Sequence, residues 1–284
     1  MKKILLIIAL SLSVVMCKSQ SDTKSSVGKD TKNVTNNTSI DKEVNLQKYF
    51  NDSNTQGSIT IYDYKNKKWI YSDVTDSKRR TLPASTFKIP SSLITIEENA
   101  VKDEFEVLKW DGVKRTYEAH NADTDLKDAY KNSTVWFYQE MARRIGKEKF
   151  EKYLKEFNYG NQNLSGKEDY FWLDNTLTIS PVEQINFLTG LYEEKYPLSK
   201  RTYTIVKEIM INEKTDDYVL RAKTGFSDVN TLDIGWFVGY VETKDNVYFF
   251  ATRLWQDEPN KNKDFLNLRK TITFEVLKSL NIIK

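Results

Sequence analysis

The sequence predicts an α/β protein of the α+β type. One antiparallel sheet of five or six strands is flanked by terminal helices, and a mainly helical insert forms a second lobe. Three observations carry this reading. Two alternating apolar runs, GSITIYDY and KWIYSD, stand near the start of the folded part; three further strand-like runs, DYVLRAK, IGWFVGYVE and NVYFFATRLW, stand near its end. Between them, roughly 120 residues follow a helical spacing. Strands grouped at the two ends of an insert pair most simply into a single antiparallel sheet.

In chain order, Lys2 and Lys3 precede an apolar run of thirteen residues, Ile4 to Met16. Such a run is short for a membrane span and suits the core of an export signal. Cys17 closes it where a bacterial lipoprotein would take its lipid, although Met16 is larger than the residue usual at that point. Residues 1–17 are therefore expected to be a signal peptide, either plain or a lipoprotein signal ending at Cys17. The protein would be periplasmic, and in the second case tethered to the membrane. Residues 18–42 are mostly Ser, Thr, Asn, Lys and Asp and should form a disordered polar tether with a reach of roughly 25–30 Å. Residues 43–284 form the folded domain. It opens with a short amphipathic helix around Leu46, Tyr49 and Phe50, followed by a hairpin turning at Lys65-Asn66-Lys67. From Thr86 to Met210 the spacing is mainly helical, as in VWFYQEMARRIG and PVEQINFLTGLY. A terminal helix carries Leu266, Leu268, Ile272, Val276 and Leu277.

Composition narrows the chemistry. The 284 residues carry 43 basic and 40 acidic side chains, and the balance is nearly neutral without Lys2 and Lys3. A basic nucleic-acid binder is excluded on that ground. Cys17 is the only cysteine and His120 the only histidine, so no intrachain disulfide and no His/Cys zinc site can be assembled. A Ser-His-Asp hydrolase would depend on His120, which lies in the polar stretch EAHNADTD and is expected to be an exposed loop residue.

A different nucleophile stands at Pro83-Ala84-Ser85-Thr86-Phe87-Lys88. Ser85 and Lys88 are three apart, on one face of a helix and within hydrogen-bonding reach. A serine at a helix N-terminus has outward N–H groups available to a developing oxyanion. Lys88 can serve as base only if burial depresses its pKa or its amine is modified. Pro90, expected in a helix interior, is a broken local rule of the kind found at functional sites. Lys223-Thr224-Gly225 ends a strand before the turn-like Phe226-Ser227-Asp228, offering positive potential, a hydroxyl for a carboxylate and close approach of a substrate backbone.

Ser-x-x-Lys followed by Lys-Thr-Gly is the paired signature of penicillin-recognising serine enzymes, and further matches sharpen it. The chain resembles the class D serine β-lactamases, the oxacillinases. PASTFK resembles their nucleophile box, and Ser133-Thr134-Val135 their Ser-x-Val. Tyr159-Gly160-Asn161 is similar to their Tyr-Gly-Asn, and Trp172-Leu173 to the Trp-Leu of their omega loop. Gly235-Trp236 falls on the strand after Lys-Thr-Gly, and Arg269 falls where the family keeps a carboxylate-binding arginine.

The resemblance implies a β-lactamase/transpeptidase-like catalytic domain over residues 43–284. It has no metal or other cofactor beyond a CO2-derived carbamate that makes Lys88 an N6-carboxylysine. Phe87, Val135, Trp172 and Leu173 would wall the Lys88 pocket, with the Trp172 indole N–H on the carbamate. Ser133 would relay protons. The N–H groups of Ser85 and Phe226 would hold the oxyanion, and Lys223, Thr224 and Arg269 the substrate carboxylate, beside Gly225. Ser133 could instead cap the helix that follows it. Tyr159-Gly160-Asn161 and the capping box Ser180-Pro181-Val182-Glu183 are expected to be structural. The partners implied are small β-lactams; the sequence leaves a homodimer open. The alternatives are a penicillin-binding transpeptidase or sensor domain that is acylated but deacylates slowly, and a non-enzymatic surface lipoprotein.

Overall fold

Alternation along Ile234, Trp236, Val238 and Tyr240 becomes the two-sidedness of a sheet. The computed structural model describes residues 42–43, 45–228, 232–257 and 261–284. The expected export signal, Cys17 and nearly all of the tether lie outside the described residues. The strands are β1 (Lys42–Glu43), β2 (Gln56–Asp63), β3 (Lys68–Tyr71), β4 (Ile211–Lys214), β5 (Tyr218–Ser227), β6 (Leu232–Thr243) and β7 (Val247–Asp257). They form one sheet in the order β1-β3-β2-β7-β6-β5-β4. The six strands β2 to β7 are antiparallel as the sequence predicts, and the two-residue β1 adds a parallel edge on β3.

Each face carries a core. On one, Ile59, Ile61, Phe237, Phe250 and Leu254 pack against the short helix α1 (Gln47–Asp52) and a long one near the C-terminus, through Phe50, Ile272 and Val276. On the other, Trp236, Val238, Tyr240, Phe249 and Ala251 meet the helical insert. Burial of each large apolar side chain contributes about 1.5–3 kcal/mol. The insert contains α2 (Lys88–Glu97), α3 (Leu126–Asn132), α4 (Val135–Ile145), α5 (Lys147–Glu156), α6 (Pro181–Tyr192) and α7 (Lys200–Ile209), and the C-terminal helix is α8 (Phe265–Ser279). It is less continuous than its spacing predicts, because residues 98–125 and 157–180 are loops with one 3-10 turn at Glu118–His120.

The second loop is fastened from within. Asn161 N–H donates to the Thr178 carbonyl at 2.9 Å, its Nδ2 to the Thr176 carbonyl at 2.9 Å, and its Oδ1 accepts from Thr178 N–H at 3.0 Å. Gly160 has φ +55, and a Cβ there would lie 2.1 Å from the Thr178 carbonyl oxygen, so only glycine fits. The Ser180–Glu183 capping box closes the loop as expected, with Pro181 opening α6. The structural role read for Tyr159-Gly160-Asn161 is what these contacts provide.

Candidate active site

The nucleophile's turn is positioned from the sheet. Arg253 on β7 is fully buried, ion-paired with Asp76 at 2.5 Å, and donates to the carbonyls of Asp76 at 3.1 Å and Arg79 at 2.7 Å. Beside it, the Trp236 indole donates to the Leu82 carbonyl at 3.0 Å. Fixed main chain thus delivers Ala84, whose φ of +48 lies in the left-handed region. A non-glycine residue there costs about 1–3 kcal/mol and persists only where its surroundings over-determine it. Ser85 follows in the 3-10 turn Ala84–Phe87, which runs into α2. Because α2 begins at Lys88, Pro90 occupies its first turn, where N–H groups lack intrahelical partners; the helix-interior penalty expected from sequence does not arise.

Lys88 Nζ donates to Ser85 Oγ at 3.1 Å. The side chain is 1% exposed, and this burial pushes the amine down to about 7 from its ordinary 10.5. Its Nζ lies 4.9 Å from the centre of the Tyr138 ring, whose hydroxyl is hydrogen-bonded to Ser92 Oγ at 2.9 Å. Trp172 is buried and stacks on Phe87 at 5.4 Å between centroids, next in sequence to Lys88.

A second lysine–serine pair closes over the first. Ser133 sits between α3 and α4 with φ +59, and Thr134, not Ser133, occupies the N-cap position of α4. Ser133 ends α3 through its backbone N–H, which leaves its hydroxyl free, and Oγ accepts from Lys223 Nζ at 2.6 Å. Lys223 also donates to the Thr224 carbonyl at 3.0 Å and to Thr224 Oγ1 at 3.3 Å. Burial, and then the nearby charges of Lys88, Arg269 and Lys270, hold its amine well below the ordinary lysine value.

These groups border a cleft of about 280 Å³. Ser85, Ser133, Val135 and Leu173 line it, as do Thr224, Gly225, Phe226 and Arg269. Lys88 and Lys223 do not line it but are bonded to the two serines that do, and Trp172, stacked on Phe87, is likewise outside its wall. Arg269 spends Nη1 on the Gly225 carbonyl, while its buried Nε has no partner among the described residues. Burial lowers its pKa to about 10, which leaves it charged at neutral pH. A Cβ at Gly225 would meet the Pro83 carbonyl at 3.0 Å and Thr86 Cγ2 at 3.1 Å, so this cleft-lining glycine also lets β5 approach the nucleophile's own turn.

His120 is a correction. It is 6% exposed and lines the cleft, with Nε2 on the Asn132 carbonyl at 3.0 Å. Sequence reading missed it because its neighbours in EAHNADTD are polar, whereas the groups that bond it, the Asn132 carbonyl and the Trp136 indole, come from α3 and α4. Tyr117 and Leu266, also in the wall, were missed too; both stay exposed and leave no signature of burial.

A hydroxyl beside a near-neutral lysine, a second serine held by a second lysine, and a buried guanidinium together suit nucleophilic attack on an anionic ligand. Comparison with known proteins agrees. The family model for the penicillin-binding protein transpeptidase domain matches residues 13–277. The chain is 44% identical to β-lactamase OXA-48 of Klebsiella pneumoniae over 235 residues, covering 83% of this chain and 87% of that protein. It is 40% identical to β-lactamase OXA-10 of Pseudomonas aeruginosa over 253 residues, covering 88% and 91%. The crystal structure of a class D β-lactamase from Sebaldella termitidis superimposes with a TM-score of 0.83 at 54% identity, covering 86% of this chain and all of that one. That of FUS-1 from Fusobacterium nucleatum gives 0.79 at 38% identity, covering 84% and 98%. With relatives this similar over most of its length, and with the two serine–lysine pairs in place, the chain belongs to the class D β-lactamase family.

Proposed function

We propose that the protein is a serine β-lactamase that opens the β-lactam amide of penicillin-type antibiotics through an acyl-enzyme on Ser85, giving antibiotic resistance. The observation that carries this is the 3.1 Å contact between Ser85 Oγ and a Lys88 amine that burial has brought to about 7. A base poised near the working pH is what proton removal from a serine requires. Lys88 takes the Ser85 proton as Oγ attacks the carbonyl carbon, and the N–H groups of Ser85 and Phe226 receive the oxyanion. The C–N bond breaks, and the ring nitrogen takes a proton by way of Ser133, whose hydroxyl Lys223 holds. Arg269 and Thr224 hold the substrate carboxylate, the guanidinium donating charge-assisted hydrogen bonds. A water then attacks the acyl group, its proton passing to Lys88, and Ser85 is regenerated.

The Lys88 pocket suits N-carboxylation, because only a neutral amine adds CO2, losing a proton to leave a carbamate. That group supplies a carboxylate-type base at Nζ. An anion there would also turn the repulsion between Lys88 and Lys223 into attraction, which favours the charged form of Lys223 against the burial that chiefly depresses it. Trp172 is the donor assigned to it. Residues 1–17, outside the described residues, would direct export, with a lipid on Cys17 and a periplasmic location; the tether expected over 18–42 would end one residue earlier, because Lys42 already pairs with Ile70 in β1. Cys17→Ser should then release the protein from membranes, and a mature N-terminus beyond Cys17 would overturn the lipid.

Turnover of a chromogenic cephalosporin tests the function. Sustained hydrolysis, restored by bicarbonate after CO2 depletion, is expected. A single stoichiometric burst would assign the chain to slow-deacylating transpeptidases or sensors, and no reaction at all would end the enzymatic reading.

A further inference from the structure

We propose that His120 is a specificity-determining residue that accepts a hydrogen bond from an N–H or O–H donor on the β-lactam's side chain. The inference rests on the proposed β-lactamase activity and names a substrate class for it: β-lactams whose acyl side chain carries an amino or hydroxyl group.

The imidazole is held from two directions. Its Nε2 lies 3.0 Å from the Asn132 carbonyl at the end of α3, and its own main-chain carbonyl accepts the Trp136 indole N–H from α4 at 2.9 Å. A carbonyl oxygen can only accept, so Nε2 carries the proton and Nδ1 of the neutral ring is a lone-pair acceptor. Burial lowers the ring's pKa, which favours this neutral form. Among the described residues no second bond occupies the ring, and Nδ1 is not among their buried, unpartnered atoms. In a side chain that lines the cleft, this leaves the acceptor to the cleft. The other polar residues of the wall are Ser85, Asn132, Ser133, Thr224 and Arg269, with Ser85 Oγ and Ser133 Oγ already accepting from Lys88 and Lys223 and the guanidinium able only to donate; among the described residues no carboxylate lines the wall. Tyr117, with its ring 5.4 Å from that of His120, supplies an apolar neighbour for the body of the side chain. A fixed acceptor in a donor-rich, apolar-walled cleft favours ligands that bring a donor of their own, because an unmatched buried polar group is costly.

Ampicillin and benzylpenicillin differ by one α-amino group, an N–H donor whether or not it is protonated. The experiment is the ratio of their kcat/KM values in the wild-type protein, in His120→Phe, which keeps a ring without an acceptor, and in His120→Gln, which restores one. Loss of the bond should lower the ampicillin:benzylpenicillin ratio about tenfold in His120→Phe. The change should appear in the ampicillin KM with little in kcat, and His120→Gln should recover part of it. Both ratios come from the same preparation, so partial misfolding cancels. An unchanged ratio, or equal losses for both penicillins, would reduce His120 to a structural wall. Wild-type protein inert toward both would instead overturn the β-lactamase reading itself, and this inference with it.

Discussion

Replacing Lys88 by methionine should destroy activity and stabilise the fold, by an amount that depends on pH. The folded-state amine is depressed to about 7 against an ordinary 10.5, with burial as its cause. Between those values the unfolded chain holds a proton that the folded chain does not, so stability rises with pH through that window. Integrated over the shift, the buried amine costs about 4 kcal/mol at pH 7 and about 1 kcal/mol at pH 10. Methionine keeps the unbranched length and removes this cost, but it also removes the hydrogen bond to Ser85, worth about 1 kcal/mol. Lys88→Met should therefore gain about 3 kcal/mol at pH 7 and almost nothing at pH 10. Urea unfolding of both proteins in CO2-depleted buffer, followed by tryptophan fluorescence, measures the difference. A gain that does not change with pH, or a methionine variant less stable at pH 7, would refute the argument that burial alone holds the amine near neutral.

Trp172→Phe keeps the stack on Phe87 but deletes the indole N–H; losing a hydrogen bond to a charged group costs about 1.5–3 kcal/mol. Deacylation should slow most, and intact-protein mass spectrometry should show the Ser85 acyl-enzyme accumulating, relieved in part by bicarbonate. Gly160→Ala forces a Cβ onto the Thr178 carbonyl at a left-handed φ and should lower stability by about 2 kcal/mol or more; calorimetry checks this, and an unchanged melting temperature would contradict the packing described. Hydrolysis should be indifferent to EDTA, and activity lost to chelator and regained with zinc would overturn the serine mechanism.

Local spacing made one half of the site legible and left the other half silent. Ser85 and Lys88 are three residues apart, and helical geometry alone brings them together. Ser133 and Lys223 meet at 2.6 Å across 90 positions; family resemblance put both at the site in advance but gave them separate roles and no contact. The central strands were readable as near-continuous apolar runs, because both of their faces are buried, as with Trp236 and Phe237 on opposite sides of β6. The loops of the insert were less so, since their order comes from side chains such as Asn161 that bond main chain distant in sequence. His120 shows the same limit. Burial supplied by other elements leaves no trace in a residue's own neighbours, and a polar flank was read as solvent. Pro90 failed differently, because the 3-10 turn ahead of α2 moved the helix start by a few residues and with it the meaning of the proline.

The contact at Gly225 bears on how such an enzyme changes under selection. Strand and nucleophile turn approach closely there, and Ala84, next to Ser85, and Ser133 both hold left-handed conformations. Substitutions at these points disturb the reacting atoms whatever antibiotic is present, so they are closed to adaptation. Tyr117 and Leu266 stand at the rim, exposed and without comparable constraint. Variants that extend the drug range should accumulate at the rim while the floor is inherited unchanged, and the order in which resistance mutations appear becomes a map of which parts of the cleft the backbone has left free.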